Sequence, residues 1–176
     1  VIKKSKGQAN PGLVSKVLNE KIKEYSTVWM DSLRNGETEL TNTNKLVRFY
    51  PGTTGLKTGT TSKAGCCVSA SAMRDSTHLI AVVMGSENSS DRFETAKAML
   101  NWGFANYTTV TPVIDKNLIP DVGVINGVTE KITPKIPEVK PVLIEKGREA
   151  DITQTVDLAV DVAAPVENGQ VLGTFG

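Results

Sequence analysis

Apolar and polar positions repeat with two different periods along this 176-residue chain, one helical and one extended. Two segments carry apolar residues three and four positions apart, which is the spacing of one helix face. Asn10-Pro11 precedes the first segment and suits a helix start, with asparagine as the cap and proline in the first turn. Asp91 and Glu94 have the spacing of a capping box at the start of the second segment, and Gly103 is a typical helix stop. The pattern predicts two packing helices. Their apolar stripes are Val14, Val17, Leu18, Ile22 and Tyr25, and Phe93, Ala96, Met99, Leu100 and Phe104.

Three short β-prone runs lie between these helices, at residues 56–61, 66–73 and 79–84. Residues 74–77 join the second run to the third, as a hairpin turn does. The third run is apolar throughout, which predicts a strand buried on both faces. We therefore expect three antiparallel strands with a helix laid across one face.

The composition changes after Tyr107. Apart from Pro11 and Pro51, every proline lies beyond this point, and the helical periodicity stops. Residues 152–162 alternate between apolar and polar, which predicts one half-buried strand, and residues 141–145 and 170–175 are further β-prone runs. These features predict two domains, residues 1–107 and a small all-β domain at 108–176. We expect the β domain to be cut short at Gly176, because its last run has no obvious closing partner.

Charge and cysteine content exclude several classes of function. A net charge of +1 offers no electrostatic reason to bind nucleic acid or an acidic membrane surface. No apolar run approaches the ~20 residues that span a bilayer. Cys66 and Cys67 are neighbours, whose side chains point to opposite faces of a strand, so a disulfide between them would be strained. His78 is the only histidine, and we expect two buried structural cysteines, no metal and no cofactor.

One stretch is a candidate for chemistry. Residues 53–65 read Thr-Thr-Gly-Leu-Lys-Thr-Gly-Thr-Thr-Ser-Lys-Ala-Gly, centred on Lys57-Thr58-Gly59. On a strand edge, the lysine supplies a fixed positive charge, the threonine a hydroxyl, and the glycine room for a substrate to lie against the backbone. The triplet alone is not specific. Upstream of it, Asn42 and Asn44 could cap a short helix and tie loops together, which is a structural role.

The order of features around the triplet is more specific than the triplet. Asn42-Thr-Asn-Lys-Leu46 comes first, then Gly55-Leu-Lys-Thr-Gly-Thr-Thr61 and Ala64-Gly65, a small-residue strand ending at Ala72, Leu79-Ile-Ala-Val-Val-Met-Gly85, Arg92, and Leu100-Asn-Trp-Gly-Phe104. This order closely resembles the low-molecular-mass penicillin-binding proteins, the serine-type D-alanyl-D-alanine carboxypeptidases. The resemblance implies an α+β fold. Residues 1–107 would be the C-terminal part of a penicillin-binding or β-lactamase-like transpeptidase domain, followed by a small all-β domain.

The resemblance also implies a role for each residue of the motif. Lys57 would line the active site and hold or transfer a proton, and Thr58 would hydrogen-bond the terminal carboxylate of the substrate. Gly59 would leave space for the substrate, and the backbone N–H of Thr60 would form half of the oxyanion hole. Arg92 matches a family arginine that helps to bind the carboxylate, a task suited to a permanently charged, bidentate guanidinium.

One departure from the family pattern decides what this chain does alone. The family's nucleophile lies in a Ser-x-x-Lys motif before Lys-Thr-Gly, and no such motif occurs in the 176 residues. Ser86-Glu87-Asn88 has the Ser-x-Asn pattern but lies after Lys57, so we interpret it as a coincidence in a loop. A serine needs an activating base within reach, and we therefore expect this chain to be inactive alone.

For the parent protein, the resemblance implies removal of the terminal D-alanine from peptidoglycan stem pentapeptides through an acyl-serine intermediate. The expected partners are stem peptides ending in D-Ala-D-Ala and β-lactams that acylate the same serine. The expected location is the cell envelope outside the cytoplasmic membrane, with membrane association only through a C-terminal segment missing here. Three alternatives remain: a serine β-lactamase, a non-catalytic module that binds cell wall or protein, and a pseudo-enzyme.

Overall fold

A computed structural model describes residues 10–136 and 138–176. The chain forms two compact units, residues 1–107 and 108–176. None of the helices in the described ranges is both long and apolar enough to cross a bilayer.

The first described element of the first unit is helix α1, Pro11–Ser26. Asn10 caps it as predicted, because its side-chain oxygen accepts hydrogen bonds from the backbone N–H groups of Gly12 and Leu13 at 2.9 and 3.2 Å. The predicted packing stripe is wrong in one respect: α1 has no buried residue, and Leu18 and Ile22 are about half exposed. The helix instead contacts the start of the central sheet through Ser26, whose hydroxyl donates to the Thr54 carbonyl at 2.9 Å.

A hairpin and a short helix follow α1. Strands β1, Met30–Leu33, and β2, Thr38–Thr41, pair antiparallel around a 3₁₀ turn at Arg34–Gly36. The chain then enters helix α2, Leu46–Phe49.

The central sheet has three antiparallel strands in the order β3–β4–β5. They are β3, Thr53–Thr61, β4, Gly65–Arg74, and β5, Thr77–Ser86. A two-residue turn joins β4 to β5, which confirms the predicted hairpin.

The predicted burial of β5 on both faces is wrong. Its residues alternate, so Ala81 and Val83 are buried while Ile80, Val82 and Met84 are 63, 56 and 75% exposed. A continuous apolar run here marks a strand with one covered face.

Helix α3, Ser89–Asn106, packs on β4 and β5 and completes the core. It begins before the predicted capping box, because Asn88 caps it by accepting from the N–H groups of Ser90 and Asp91 at 2.9 and 3.0 Å. Gly103 is also not a stop. It lies within the helix, where an added Cβ would meet the side chain of Leu79 at 2.6 Å, so glycine permits close packing on β5. The buried core consists of Leu46, Tyr50, Val68, Ala70, Ala72, Ala81, Val83, Phe93, Ala96, Leu100 and Phe104.

The described part of the second unit is built from short strands and 3₁₀ turns. Strand β6, Tyr107–Val110, pairs with β9, Val142–Glu145; β7, Val122–Ile125, lies between β8, Lys131–Ile132, and β11, Asp161–Ala163; β10, Val156–Leu158, pairs with β12, Gly173–Phe175. The helices and sheets of the two units together confirm the predicted α+β class.

The single strand predicted at residues 152–162 is wrong. The segment contains β10 and β11, which belong to different sheets. The inside–outside alternation continues to Leu158 and then fails at Val160, which is 82% exposed. The chain therefore steps from one sheet to the next at residues 159–160, which hydrophobic periodicity alone does not reveal.

Candidate active site

The Lys-Thr-Gly sequence lies on β3, at the edge of the central sheet. Lys57, Gly59 and Thr60 pair with Ser69, Cys67 and Cys66 of β4. The other side of β3 pairs with none of the described strands. An unpaired strand edge offers backbone donors and acceptors to an extended peptide, which is the geometry of strand addition.

The Lys57 side chain is exposed. Its ammonium donates a hydrogen bond to the Thr58 carbonyl at 2.6 Å. This contact brings the positive charge beside the hydroxyl-bearing residue of the motif.

Thr58 is buried, with 8% of its surface exposed. Its hydroxyl lies 2.7 Å from the hydroxyl of Thr43, which precedes α2. Sequence reasoning singled out the neighbours of Thr43 and missed Thr43 itself. The two threonines are 15 positions apart, and no periodic pattern connects them.

Asn42 and Asn44 form the frame that holds this loop. The Asn42 amide donates to the carbonyls of Ser26 and Val28 at 3.2 and 2.9 Å, and its oxygen accepts from the N–H of Asn44 at 2.9 Å. Asn44 is 1% exposed, and its oxygen accepts from the N–H of Leu46 at 3.2 Å, at the start of α2. The predicted structural role of both asparagines is confirmed.

Arg92 connects α3 to the Lys-Thr-Gly strand and is only 6% exposed. One guanidinium nitrogen lies within hydrogen-bond distance of the Gly59 carbonyl (3.2 Å), the Thr60 hydroxyl (3.2 Å) and the Cys67 carbonyl (3.1 Å). The other donates to the Ser89 hydroxyl at 3.0 Å. Arg92 thus links the start of α3 to the Lys-Thr-Gly strand through the Gly59 carbonyl and the Thr60 hydroxyl.

Cys66 and Cys67 are free thiols in β4 and are half-buried, where the sequence predicts full burial. The Cys66 sulfur lies 3.8 Å from the Thr60 hydroxyl, so Cys66 lies beside the motif. The Cys67 sulfur contacts the Ala64 carbonyl at 3.3 Å.

Ser86-Glu87-Asn88 has a structural role where β5 leads into α3. Asn88 caps α3 and also donates to the Asp91 carboxylate at 2.7 Å. Within residues 10–136 and 138–176, no three His, Cys, Asp or Glu side chains are grouped to hold a metal. A cavity of about 490 Å³ lies in the second unit, lined by residues such as Ile132, Leu158 and Phe175, and shares no residue with β3.

Known proteins resemble this chain in sequence and in fold. The family model described as D-alanyl-D-alanine carboxypeptidase, Peptidase_S11, matches residues 11–88. D-alanyl-D-alanine carboxypeptidase DacF of Bacillus subtilis (strain 168) is 33% identical over 161 residues, which are 89% of this chain and 41% of DacF. The chain belongs to the D-alanyl-D-alanine carboxypeptidase family.

Two further matches give the extent of this likeness. Carboxypeptidase DacC of Escherichia coli (strain K12) is 33% identical over 122 residues, covering 69% of this chain and 30% of DacC. The crystal structure of penicillin-binding protein 5 from Haemophilus influenzae matches with a TM-score of 0.72 and 27% identity, over 92% of this chain and 47% of that one. The chain spans less than half the length of these relatives.

Proposed function

We propose that the protein containing this chain removes the terminal D-alanine from peptidoglycan stem pentapeptides through an acyl-serine intermediate. The observation that carries the proposal is the open edge of β3, where Lys57, Thr58 and Thr60 lie close together in sequence. The chain also belongs to the D-alanyl-D-alanine carboxypeptidase family. Residues 1–107 are then part of the catalytic domain and residues 108–176 belong to the C-terminal β domain.

Each motif residue has a different role at the scissile bond. A stem peptide lies along β3, and the Thr58 hydroxyl donates to its terminal carboxylate. The backbone N–H of Thr60 donates to the carbonyl oxygen as negative charge develops on it. Lys57 keeps a positive charge close to the hydroxyl network, and Arg92 adds charge to the carboxylate subsite while it supports the strand.

The nucleophile comes from a part of the protein outside this sequence, because the 176 residues contain no Ser-x-x-Lys motif. Its hydroxyl oxygen attacks the carbonyl of the penultimate residue, D-alanine leaves with a proton on its amine, and water hydrolyses the ester. β-Lactams acylate the same serine. The protein then acts in the cell envelope, where its substrate is located.

Intact-mass measurement after incubation with benzylpenicillin tests the proposal. We expect the full-length protein to gain one penicilloyl group and the 176-residue chain to gain none. Rapid loss of the adduct with many turnovers would indicate a β-lactamase instead. No adduct on the full-length protein would favour a pseudo-enzyme or a binding module, and an adduct on the 176-residue chain would show that a serine within it is reactive.

A further inference from the structure

Two threonine hydroxyls meet at the base of the proposed carboxylate subsite. Thr43 and Thr58 place their side-chain oxygens 2.7 Å apart, the usual length of an O–H···O hydrogen bond. Thr58 is buried, whereas Thr43 is exposed at the surface. Thr43 is therefore the outer member of a hydroxyl pair that ends on the motif.

The backbone on both sides of Thr43 is held in place. The N–H of Asn42 donates to the Trp29 carbonyl at 2.8 Å, and the Asn42 side chain links the α1 end to the N–H of Asn44. Asn44 is buried and joined to the first turn of α2. With its backbone fixed at both flanks, Thr43 keeps only rotation about its own side-chain bond, so its hydroxyl is pre-positioned toward Thr58.

The number of protons available decides which hydroxyl of the pair is the hydrogen-bond donor when a carboxylate is bound. A hydroxyl has one proton to donate and two lone pairs that accept. When Thr58 donates its only proton to a carboxylate, its contact with Thr43 can persist only if Thr43 is the donor. Thr43 thereby aligns the Thr58 hydroxyl toward the ligand and polarises it, since linked hydrogen bonds strengthen one another.

We propose that Thr43 is a positioning residue that sets the preference of this site for substrates with a free C-terminal carboxylate. The inference rests on the proposed function, because it assigns the carboxylate to Thr58. Thr43 acts through Thr58, so its effect requires a ligand group that accepts a strong hydrogen bond. A terminal carboxamide is uncharged and is a weaker acceptor, so a substrate with that end gains little from an aligned hydroxyl.

The test uses the full-length protein with Thr43→Val, which keeps the shape and removes the hydroxyl, and Thr43→Ser, which keeps the hydroxyl. Hydrolysis is measured on a D-Ala-D-Ala peptide and on the same peptide ending in D-alaninamide. We expect Thr43→Val to lower kcat/KM for the carboxylate peptide about tenfold, the worth of one aligned hydrogen bond. It should leave the carboxamide peptide within about twofold, and Thr43→Ser should restore the carboxylate preference.

The ratio of the two substrates removes any effect of misfolded enzyme, because both rates scale with the amount of folded protein. Thr41→Val, on the neighbouring exposed strand residue, is the matched control and should leave the ratio unchanged. Equal losses on both substrates, or no loss on either, would show that Thr43 has no positioning role while the carboxypeptidase proposal stands. Failure of the unsubstituted protein to hydrolyse either peptide would overturn the proposed function and this inference with it.

Discussion

At the scale of single residues, Arg92 is the side chain on which the candidate site most depends structurally. Its guanidinium lies within hydrogen-bond distance of the Gly59 and Cys67 carbonyls of the central sheet. The guanidinium carbon lies 4.8 Å from the centre of the Phe93 ring. Hydrogen bonds to charged groups are worth more than neutral ones, and their loss leaves acceptors without partners. Arg92 therefore links the start of α3 to the end of the Lys-Thr-Gly strand.

We expect Arg92→Ala to lower the free energy of unfolding of the first unit by about 3 kcal/mol. Arg92→Lys should recover part of this loss, since it keeps the charge but lacks the planar fork. Urea unfolding followed by tryptophan fluorescence measures it, because Trp29 and Trp102 both lie in residues 1–107. Lys21→Ala, which breaks only an exposed ion pair on α1 of the same unit, is the control and should cost about 0.5 kcal/mol. Similar losses for the two alanine variants would contradict this role.

At the scale of elements, local patterns predict much of the first unit. Runs of β-prone residues and the turn residues between them locate β3, β4, β5 and the β4–β5 hairpin, because the apolar residues of each strand mark the face that it buries. The same patterns overstate the burial of β5, since apolar sequence does not tell whether a second face is covered. They also fail at residues 159–160, where the chain changes sheets, and at the start of α3, where Asn88 competes successfully with Asp91 as cap.

His78 takes part in a hydrogen-bond chain that joins the three strands of the central sheet. Its Nε2 lies 2.9 Å from the Thr54 hydroxyl, which in turn lies 2.8 Å from the Ser71 hydroxyl. Burial lowers the pKa of His78 below its usual 6.5, and the nearby positive charge of Lys23 lowers it further. The unfolded chain then takes up a proton more readily than the folded chain, so the contribution of neutral His78 to stability is complete above pH 6.5 and declines as the pH falls below it.

We accordingly expect the urea midpoint of the first unit to be lower at pH 5 than at pH 8, and His78→Gln to reduce this difference. Glutamine retains an acceptor for Thr54 but does not titrate. Lys23→Gln should shrink the difference partly, because it removes the second cause and leaves the first. Tryptophan fluorescence at both pH values measures all three proteins. If the pH difference were the same with and without His78, carboxylates elsewhere would be its source.

At the scale of the whole molecule, the candidate site could be predicted only in part. The Lys-Thr-Gly strand has a linear signature, so Lys57, Thr58, Gly59 and Thr60 were accessible from sequence. Thr43 was not, because its contact with Thr58 arises from how the β1–β2 hairpin and α2 return the chain to β3. Contacts of this kind depend on tertiary packing, which no single-segment period encodes.

The exposed face of β5 has a consequence for the behaviour of the chain in solution. Ile80, Val82 and Met84 form an apolar row on a strand that pairs only with β4 among the described strands. Such an edge is a template for association with another chain.

We expect the 176-residue chain to show a weight-average mass that rises above 18.9 kDa with concentration in sedimentation equilibrium. Val82→Lys should suppress the rise, since a charged edge residue opposes strand pairing. Val128→Lys adds the same charge at an exposed valine of the second unit and should not. A chain that stays monomeric throughout, or equal suppression by both lysines, would mean that this face does not drive association.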